Sequence, residues 1–532
     1  MSLFSTRKSR IVVSFVLGLG TALLLIVHRL ETGGDNLDFI LLARSLQHGQ
    51  WADVLGWPRP AGYSAFIAGL LKTAGMSLSA GLFYVSPAAI YLIKAVNVIL
   101  YGLLAAAFCL FLERVSSPRI ALAGGVLLAL NQSLAAPASF IVAETLFSLM
   151  VMAVLVVAAS ASRDRDLRPL EVVTFIVLSI LAVNVKYQGV ALLGGLALCM
   201  LINRRWGRGE WIAAAFLGTA VALLALLQWR GNSFCLTHVV ATDPYGTGAT
   251  LTWAERLTRF AITYTSAWPE MLVPKLMGPT GVLGLAGLSW AVWPVIAVTM
   301  AIMVTGFVAS WRRCGFLLAH GFFLAFYGLL AIWPDFLGRY LLPIVPLGLW
   351  FLLEGLAAAT RRMSQRIFPV LVIAMVSWCL AVNAYAGVKN WRNIWNFRNL
   401  PPWAPERYVV SREDDFADYL RAGEWLRDHS PTNALIFCRK ALFIELAAGR
   451  HCTYYSTYAS PDAFYDALRN AALQQPVYVL KDAFPQNSTY GRVRENLLVP
   501  ALRGHEAFVE RVHATAGDSE IYRVLPETTP RR

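Results

Sequence analysis

Long apolar runs alternate along this chain with short, arginine-bearing gaps. Runs able to cross or nearly cross a hydrocarbon layer of roughly 30 Å lie at 11–29, 86–113, 120–134, 141–160, 170–184, 188–203, 210–228, 289–310, 316–333, 338–358 and 367–387. They predict about eleven transmembrane helices, of which those at 120–134, 170–184 and 188–203 are short or closely spaced. Elsewhere the apolar residues keep a helical spacing with polar residues between them. Ile40, Leu41, Ala43 and Leu46 are interleaved with Arg44, Gln47 and His48, and a second such stretch runs from Tyr63 to Leu71. A third, Leu251–Tyr264, puts Glu255, Arg256 and Arg259 on its polar side. This pattern predicts amphipathic helices lying in the membrane interface, the first two separated by the Pro58-Arg59-Pro60 break.

After Gly387 the apolar runs shorten and the periodicity changes. Helices are predicted at 412–428, 460–473 and 491–503, and strands at 433–438, 476–480, 508–512 and 520–524, which together read as a small α/β layer domain. The expected fold is an α-helical polytopic membrane protein: a transmembrane unit over 1–399, with interfacial helices in its first external loop, and a soluble α/β domain over 400–532.

Basic residues set the orientation, because Lys and Arg beside a span stay on the cytoplasmic side. Arg7, Lys8 and Arg10 precede the first span, and Arg114 and Arg119 separate the second from the third. Arg163, Arg165 and Arg168, then Arg204, Arg205 and Arg208, then Arg312 and Arg313, and last Arg361, Arg362 and Arg366 occupy every second gap thereafter. The expected protein is therefore multi-pass in the inner (plasma) membrane, with a cytoplasmic N-terminus. Segments 30–85, 229–288 and 388–532 lie outside, the last as a periplasmic domain. A hydrophobic content of 57% and a mean hydropathy of +0.54 exclude a soluble protein. The net charge of +14 is largely these topogenic anchors, so it does not argue for nucleic acid. The first apolar run lacks a small-residue cleavage pattern and reads as retained.

Four cysteines, Cys109, Cys199, Cys314 and Cys379, lie in or beside spans as small hydrophobes, and Cys235, Cys438 and Cys452 are expected outside. Cys438 and Cys452 flank a predicted strand-helix-strand turn; a disulfide between them and two free thiols are both open. No cysteine or histidine spacing resembles a zinc site, and 400–532 carries no Gly-rich phosphate loop or catalytic triad.

Charged residues on the outer side are the candidates for chemistry. Asp35 and Asp38 follow the first span, where a carboxylate can sit at the membrane surface; the bland alternative is an ordinary interfacial loop helix. Glu144 opens the fourth span, and Lys186 sits in an outer turn against the positive-inside trend. Either could merely snorkel, as could Lys94 in the outer half of span two beside Asn97. Arg339, in Trp333-Pro-Asp-Phe-Leu-Gly-Arg-Tyr-Leu-Leu-Pro343, suits an anion because a guanidinium fork matches phosphate oxygens; its bland partner is Asp335.

Several of these segments resemble the membrane glycosyltransferases of GT-C architecture that use a polyprenyl-phosphate-linked sugar, the group that includes the lipid A aminoarabinose transferases and protein O-mannosyltransferases. The resemblance is carried by Gly34-Asp35 followed by Phe39, Ala43, Leu46, Gly49 and Trp51; by Arg59-Pro60-Ala61-Gly62-Tyr63, one residue shorter than the corresponding segment of the aminoarabinose transferases; by Glu144-Thr-Leu-Phe147; and by Gly338-Arg-Tyr-Leu-Leu-Pro343. It covers about 30–387, and the order and shared membrane side of the segments carry it more than any single motif.

The resemblance implies that Asp35 is the catalytic carboxylate and that Arg59 and Arg339 hold the lipid phosphate, with Asp38, Tyr63, Glu144, Lys186 and Tyr340 as further substrate contacts. The chain would then be an inverting hexosyl- or pentosyltransferase. It would move sugar from polyprenyl phosphate to an envelope glycan, lipid or protein on the external face. Where several relatives carry Asp-Glu, this chain has Asp35-Asn36, so no cofactor is firmly expected, and a divalent metal would have to use Asp35 with Asp38. The competing readings are a transporter or flippase, or a ligase, for a lipid-linked saccharide. A transporter would call for internal repeats and polar residues at mid-membrane, neither of which is evident.

Overall fold

The computed structural model describes residues 6–30, 35–56, 60–79, 81–160, 168–203, 208–230, 252–277, 283, 286–332, 338–361, 364, 366–409, 413–455, 460–482 and 508–525. The helices of the N-terminal part run in chain order as α1 (Arg7–Leu24), α2 (Asp35–Gln47), α3 (Trp51–Gly56), α4 (Gly62–Thr73), α5 (Pro87–Val115), α6 (Pro118–Ala129), α7 (Gln132–Ala138), α8 (Glu144–Ala158) and α9 (Pro169–Val185). They continue as α10 (Ala191–Asn203), α11 (Arg208–Arg230), α12 (Trp253–Leu272), α13 (Val292–Cys314), α14 (Leu318–Ile332), α15 (Val345–Arg361) and α16 (Ile367–Asn396).

Each of the eleven apolar runs holds a helix, and the interfacial stretches form α2, α4 and α12. Local chemistry explains the starts. Ser86 and Ser117 cap α5 and α6 by accepting from Ala89 N and Ile120 N, with Pro87 and Pro118 in the first turn. Thr252 and Glu255 form a reciprocal capping box on α12.

Four of the described helices are long and apolar enough to cross a membrane: Pro87–Val115, Val292–Cys314, Gly338–Arg361 (counting its leading 3-10 turn) and Ile367–Asn396. The third predicted span is α6 and α7 together, bent by 50° between them.

Close helix packing needs small residues where backbones meet. Gly306 on α13 faces the backbone of Phe351 and Gly355 on α15, with no room for a Cβ, and Gly195 on α10 meets Gly321 on α14 in the same way. At the arginine-rich end, Arg10 forms a two-point pair with Glu113 (2.5 and 2.9 Å), locking α1 to α5. Arg313 pairs with Glu354 at 2.5 Å. Arg10 and Arg313, both in the arginine-bearing stretches beside apolar runs, thus tie helices of the bundle together.

The C-terminal part adds α17 (Glu406–Val409), α18 (Asp414–His429), β1 (Leu435–Cys438), α19 (Ala441–Ala448), β2 (His451–Tyr454), α20 (Pro461–Ala472), β3 (Val477–Lys481), β4 (Val509–Ala514) and β5 (Glu520–Val524). The strands form one sheet in the order β2-β1-β3-β5-β4, with β1 parallel to β2 and β3 and the remaining pairs antiparallel. Phe437, Val477, Val479 and Val524 cover one face against Phe464 and Leu468 of α20. The other face joins a core that runs through Tyr408 and Phe416 into the helical bundle. Polar contacts reinforce that seam: Phe83 N donates to Glu445 Oε1 at 2.9 Å, and Arg29 pairs with Glu413 at 2.7 Å and lies over the Tyr408 ring. Cys438 and Cys452 are free thiols on the adjacent strands β1 and β2.

Two expectations change. Lys94 does not snorkel to water: it is fully buried and its Nζ donates to the carbonyls of Val27 (2.5 Å) and Arg29 (2.6 Å). Arg256, expected on the polar face of α12, is buried, with its guanidinium 5.3 Å from the Trp253 ring centroid. The predicted helix at 491–503, Cys235, Asp335 and Arg59 lie outside the described residues.

Candidate active site

Helix α2 runs from Asp35 to Gln47, with Asp35 its first described residue. The side chain of Asp35 is outside the described part of the structure. Asp38 is half-buried one turn along, next to the buried Asn36 and Leu37.

Two anchors place α2. From upstream, Lys94 grips the carbonyls of Val27 and Arg29 and so fixes the segment that links α1 to α2. From below, Phe39 packs edge-on against Tyr63, with ring centroids 4.9 Å apart. Tyr63 is fully buried, and Asn97 Nδ2 donates to its hydroxyl at 2.9 Å and to Phe140 O at 2.7 Å. Burial pushes the Tyr63 hydroxyl well above its ordinary range, and the nearby negative charge of Glu144 adds to this, so the group stays protonated. Gly62 lies against the carbonyl of Asn184 with no space for a side chain, which presses α4 onto the end of α9.

Above Tyr63 the charged residues converge. Glu144 is the first residue of α8, and Lys186 is the extended residue that ends α9. Lys186 Nζ bonds Glu144 Oε1 at 2.9 Å and sits 5.6 Å from the centroid of the Tyr340 ring. Arg339 approaches the same ring, its Cζ 5.8 Å away. Arg339 and Tyr340 belong to a 3-10 turn, Gly338–Ile344, that leads into α15. Glu144, Lys186, Arg339 and Tyr340 thus form one cluster, with Tyr63 next to Glu144 and α2 packed on Tyr63.

Chemically the cluster offers two cations beside an aromatic platform. That combination suits an anionic group with an organic ring or chain attached. Among the described residues no three His, Cys, Asp or Glu side chains group as a metal site would require. Asp35 and Asp38 supply two carboxylates at most, a thin set for a hard divalent ion that takes about six oxygens.

Lys94 is the residue whose role the sequence reading missed. Its signal was present: a lysine inside an apolar run, with Asn97 three residues on, both needing partners that only a neighbouring chain segment could supply.

The fold is that of the GT-C membrane glycosyltransferases. Superposed on ArnT from Cupriavidus metallidurans bound to undecaprenyl phosphate, the chain gives a TM-score of 0.56 at 14% identity, covering 97% of this chain and 98% of that one. The apo oligosaccharyltransferase of Archaeoglobus fulgidus gives 0.54 at 12% identity, over 94% of this chain and 73% of that one. AglB from the same organism, in complex with an inhibitory peptide and a dolichol-phosphate, gives 0.50 at 11% identity over 99% and 75%. No protein-family model and no curated protein matches the chain in sequence.

Proposed function

We propose that this protein is an inverting glycosyltransferase that moves a hexosyl or pentosyl group from a polyprenyl-phosphate donor to an envelope acceptor. It would act on the external face of a membrane crossed eleven times, with the α/β unit at 400–532 on the same side. The observation that carries this reading is the convergence of Glu144, Lys186, Arg339 and Tyr340 next to Tyr63 and α2, whose first residue is Asp35. Support also comes from fold neighbours bound to undecaprenyl phosphate and to a dolichol-phosphate.

In this reading Asp35 takes the proton of the acceptor hydroxyl as its oxygen attacks the sugar's anomeric carbon. The bond from that carbon to the phosphate oxygen breaks on the opposite face, which inverts the configuration. Arg59 and Arg339, with Lys186 behind them, stabilise charge on the departing phosphate, which grows as the bond breaks. Tyr63 and Tyr340 fix the geometry, and Glu144 holds Lys186 in place. A polyprenyl chain cannot leave the bilayer, so its phosphate must be met at the interface, where α2 and α4 are expected to lie.

The test is the turnover of purified Asp35→Asn with a polyprenyl-phosphate-linked sugar. Near-normal turnover would remove Asp35 as the base. The expected result is loss of transfer with an unchanged thermal melting profile.

A further inference from the structure

Helices α13 and α15 cross where Gly306 lies against the backbone of Phe351 and Gly355. Three residues further along each helix, at Ala309 and Ala358, the helices leave a gap. It is a pocket of about 360 Å³, lined by Ala309, Arg312 and Arg313 of α13 and by Glu354, Ala358 and Arg361 of α15. Small side chains on both helices make the room. The pocket lies at the far end of α15 from Arg339 and Tyr340, about 25 Å along a 17-residue helix, so it is no part of the candidate active site.

One charge pair on the wall is internal. Glu354 is buried and accepts from Arg313 Nη2 at 2.5 Å and from Ser116 Oγ at 2.7 Å, while Arg313 Nη2 also donates to Val115 O at 2.9 Å. These bonds compensate the carboxylate and tie the buried side of the pocket to the turn between α5 and α6. Arg312 and Arg361 are different. Both are exposed, and among the described residues neither guanidinium has a hydrogen bond or an ion pair. The sequence adds no acid to either helix end: 305–320 contains no Asp or Glu, Glu354 is the single acid in 340–366, and Arg362 and Arg366 follow α15. Two guanidinium forks over a pocket of this size suit one phosphate group, whose oxygens a planar fork meets in pairs. The outer surface of α13 indicates where that phosphate comes from. Val304 and Trp311, seven residues apart on one face, are 58% and 40% exposed on a helix long and apolar enough to cross a membrane. An apolar, bilayer-facing surface therefore leads up to Arg312.

We infer that this pocket binds the phosphate of an acidic phospholipid, held by Arg312 and Arg361, with an acyl chain along Val304 and Trp311. The bound lipid sits in the leaflet at the arginine-rich end of the bundle, across the membrane from the Glu144–Lys186 pair. A zwitterionic phospholipid carries an ammonium beside its phosphate, which two uncompensated arginines repel. Free phosphate leaves the face of α13 uncovered. The inference stands apart from the transferase reading and holds or fails without it.

The experiment uses the full-length protein in phosphatidylcholine nanodiscs into which brominated phosphatidylglycerol or brominated phosphatidylcholine is titrated at low mole fraction. The readout is the part of the tryptophan fluorescence that Trp311→Phe removes, and the mole fraction that half-quenches it. Phosphatidylglycerol should half-quench at a mole fraction about ten-fold lower than phosphatidylcholine. Arg312→Gln/Arg361→Gln should erase that difference. Ala358→Leu should erase it too, because it fills the pocket while leaving every charge in place, which separates a site from the general attraction of acidic lipid to a basic surface. Ala309→Leu takes its place if Ala358→Leu does not melt as the parent does. Equal half-quenching by the two lipids in the parent overturns the inference, and so does a preference that survives either the double substitution or the filled pocket. Loss of the preference on adding low-millimolar inorganic phosphate at constant ionic strength would mean a free-phosphate site, and it overturns the lipid assignment as well.

Discussion

Lys186 Nζ and Glu144 Oε1 lie 2.9 Å apart, joining the end of α9 to the start of α8 with side chains only 14% and 8% exposed. Such a pair is hard to break on one side, because removing either partner strands the other in a low-dielectric site. Glu144→Ala or Lys186→Met alone should each cost about 3–5 kcal/mol. Glu144→Gln with Lys186→Met should recover most of that stability while still impairing transfer. Thermal melting in detergent checks the first part and donor turnover the second; a double variant as unstable as the singles would rule out the pair as the cause.

Arg339→Ala should weaken donor binding and slow the chemical step, since a hydrogen bond to a charged group contributes about 1.5–3 kcal/mol, a ten-fold effect or more. Arg339→Lys should rescue in part, because the ammonium keeps the charge but not the planar, bidentate fork. Arg59→Ala should behave like Arg339→Ala. Steady-state kinetics with varied lipid donor decide the matter: a lower melting temperature with an unchanged KM for the donor would take Arg339 out of the site.

Tyr63→Phe keeps the ring against Phe39 and removes the hydroxyl that accepts from Asn97 Nδ2 and donates to Asn97 Oδ1, leaving Asn97 Nδ2 its second acceptor at Phe140 O. A loss of about 1 kcal/mol is expected. Tyr63→Ala should cost about 3–5 kcal/mol, because it opens a cavity beneath α2. Comparing turnover with melting for the two variants separates a support for α2 from a direct substrate contact: a support loses activity in step with stability.

Metal dependence turns on Asp38. If transfer relies on arginine and lysine charge, chelator treatment should leave turnover unchanged and Asp38→Asn should lower it only a few-fold. Loss of turnover with chelator, restored by one divalent ion and abolished in Asp38→Asn, would show that Asp35 and Asp38 hold a cation.

Sequence alone determined the helices. The apolar runs, the Ser-Pro starts of α5 and α6, the arginines in alternate gaps and the amphipathic stretches after Asp35 and Tyr63 are all local signals. Each arises within a few residues, from a helical period of about 3.6 or a cap, and the structure has helices at all those places. Four of the five strands of the C-terminal sheet were legible as short apolar runs between helical stretches; β2 (His451–Tyr454) was not among the expected ranges, nor was the order β2-β1-β3-β5-β4.

Tertiary structure decided which of the scattered charges meet. Lys186 and Glu144 are 42 residues apart, and Arg10 and Glu113 are 103 apart. Lys94 looked like a side chain bound for water until the end of α1 came close enough to offer it two carbonyls. No local pattern carries that information. Period and hydropathy say which face of a helix is buried, whereas the partner it meets depends on how helices distant in sequence pack and on the rotation of each about its axis. Glycines such as Gly62 and Gly306 help to fix that rotation by letting backbones touch. Their effect becomes visible only once both sides of the contact are in place.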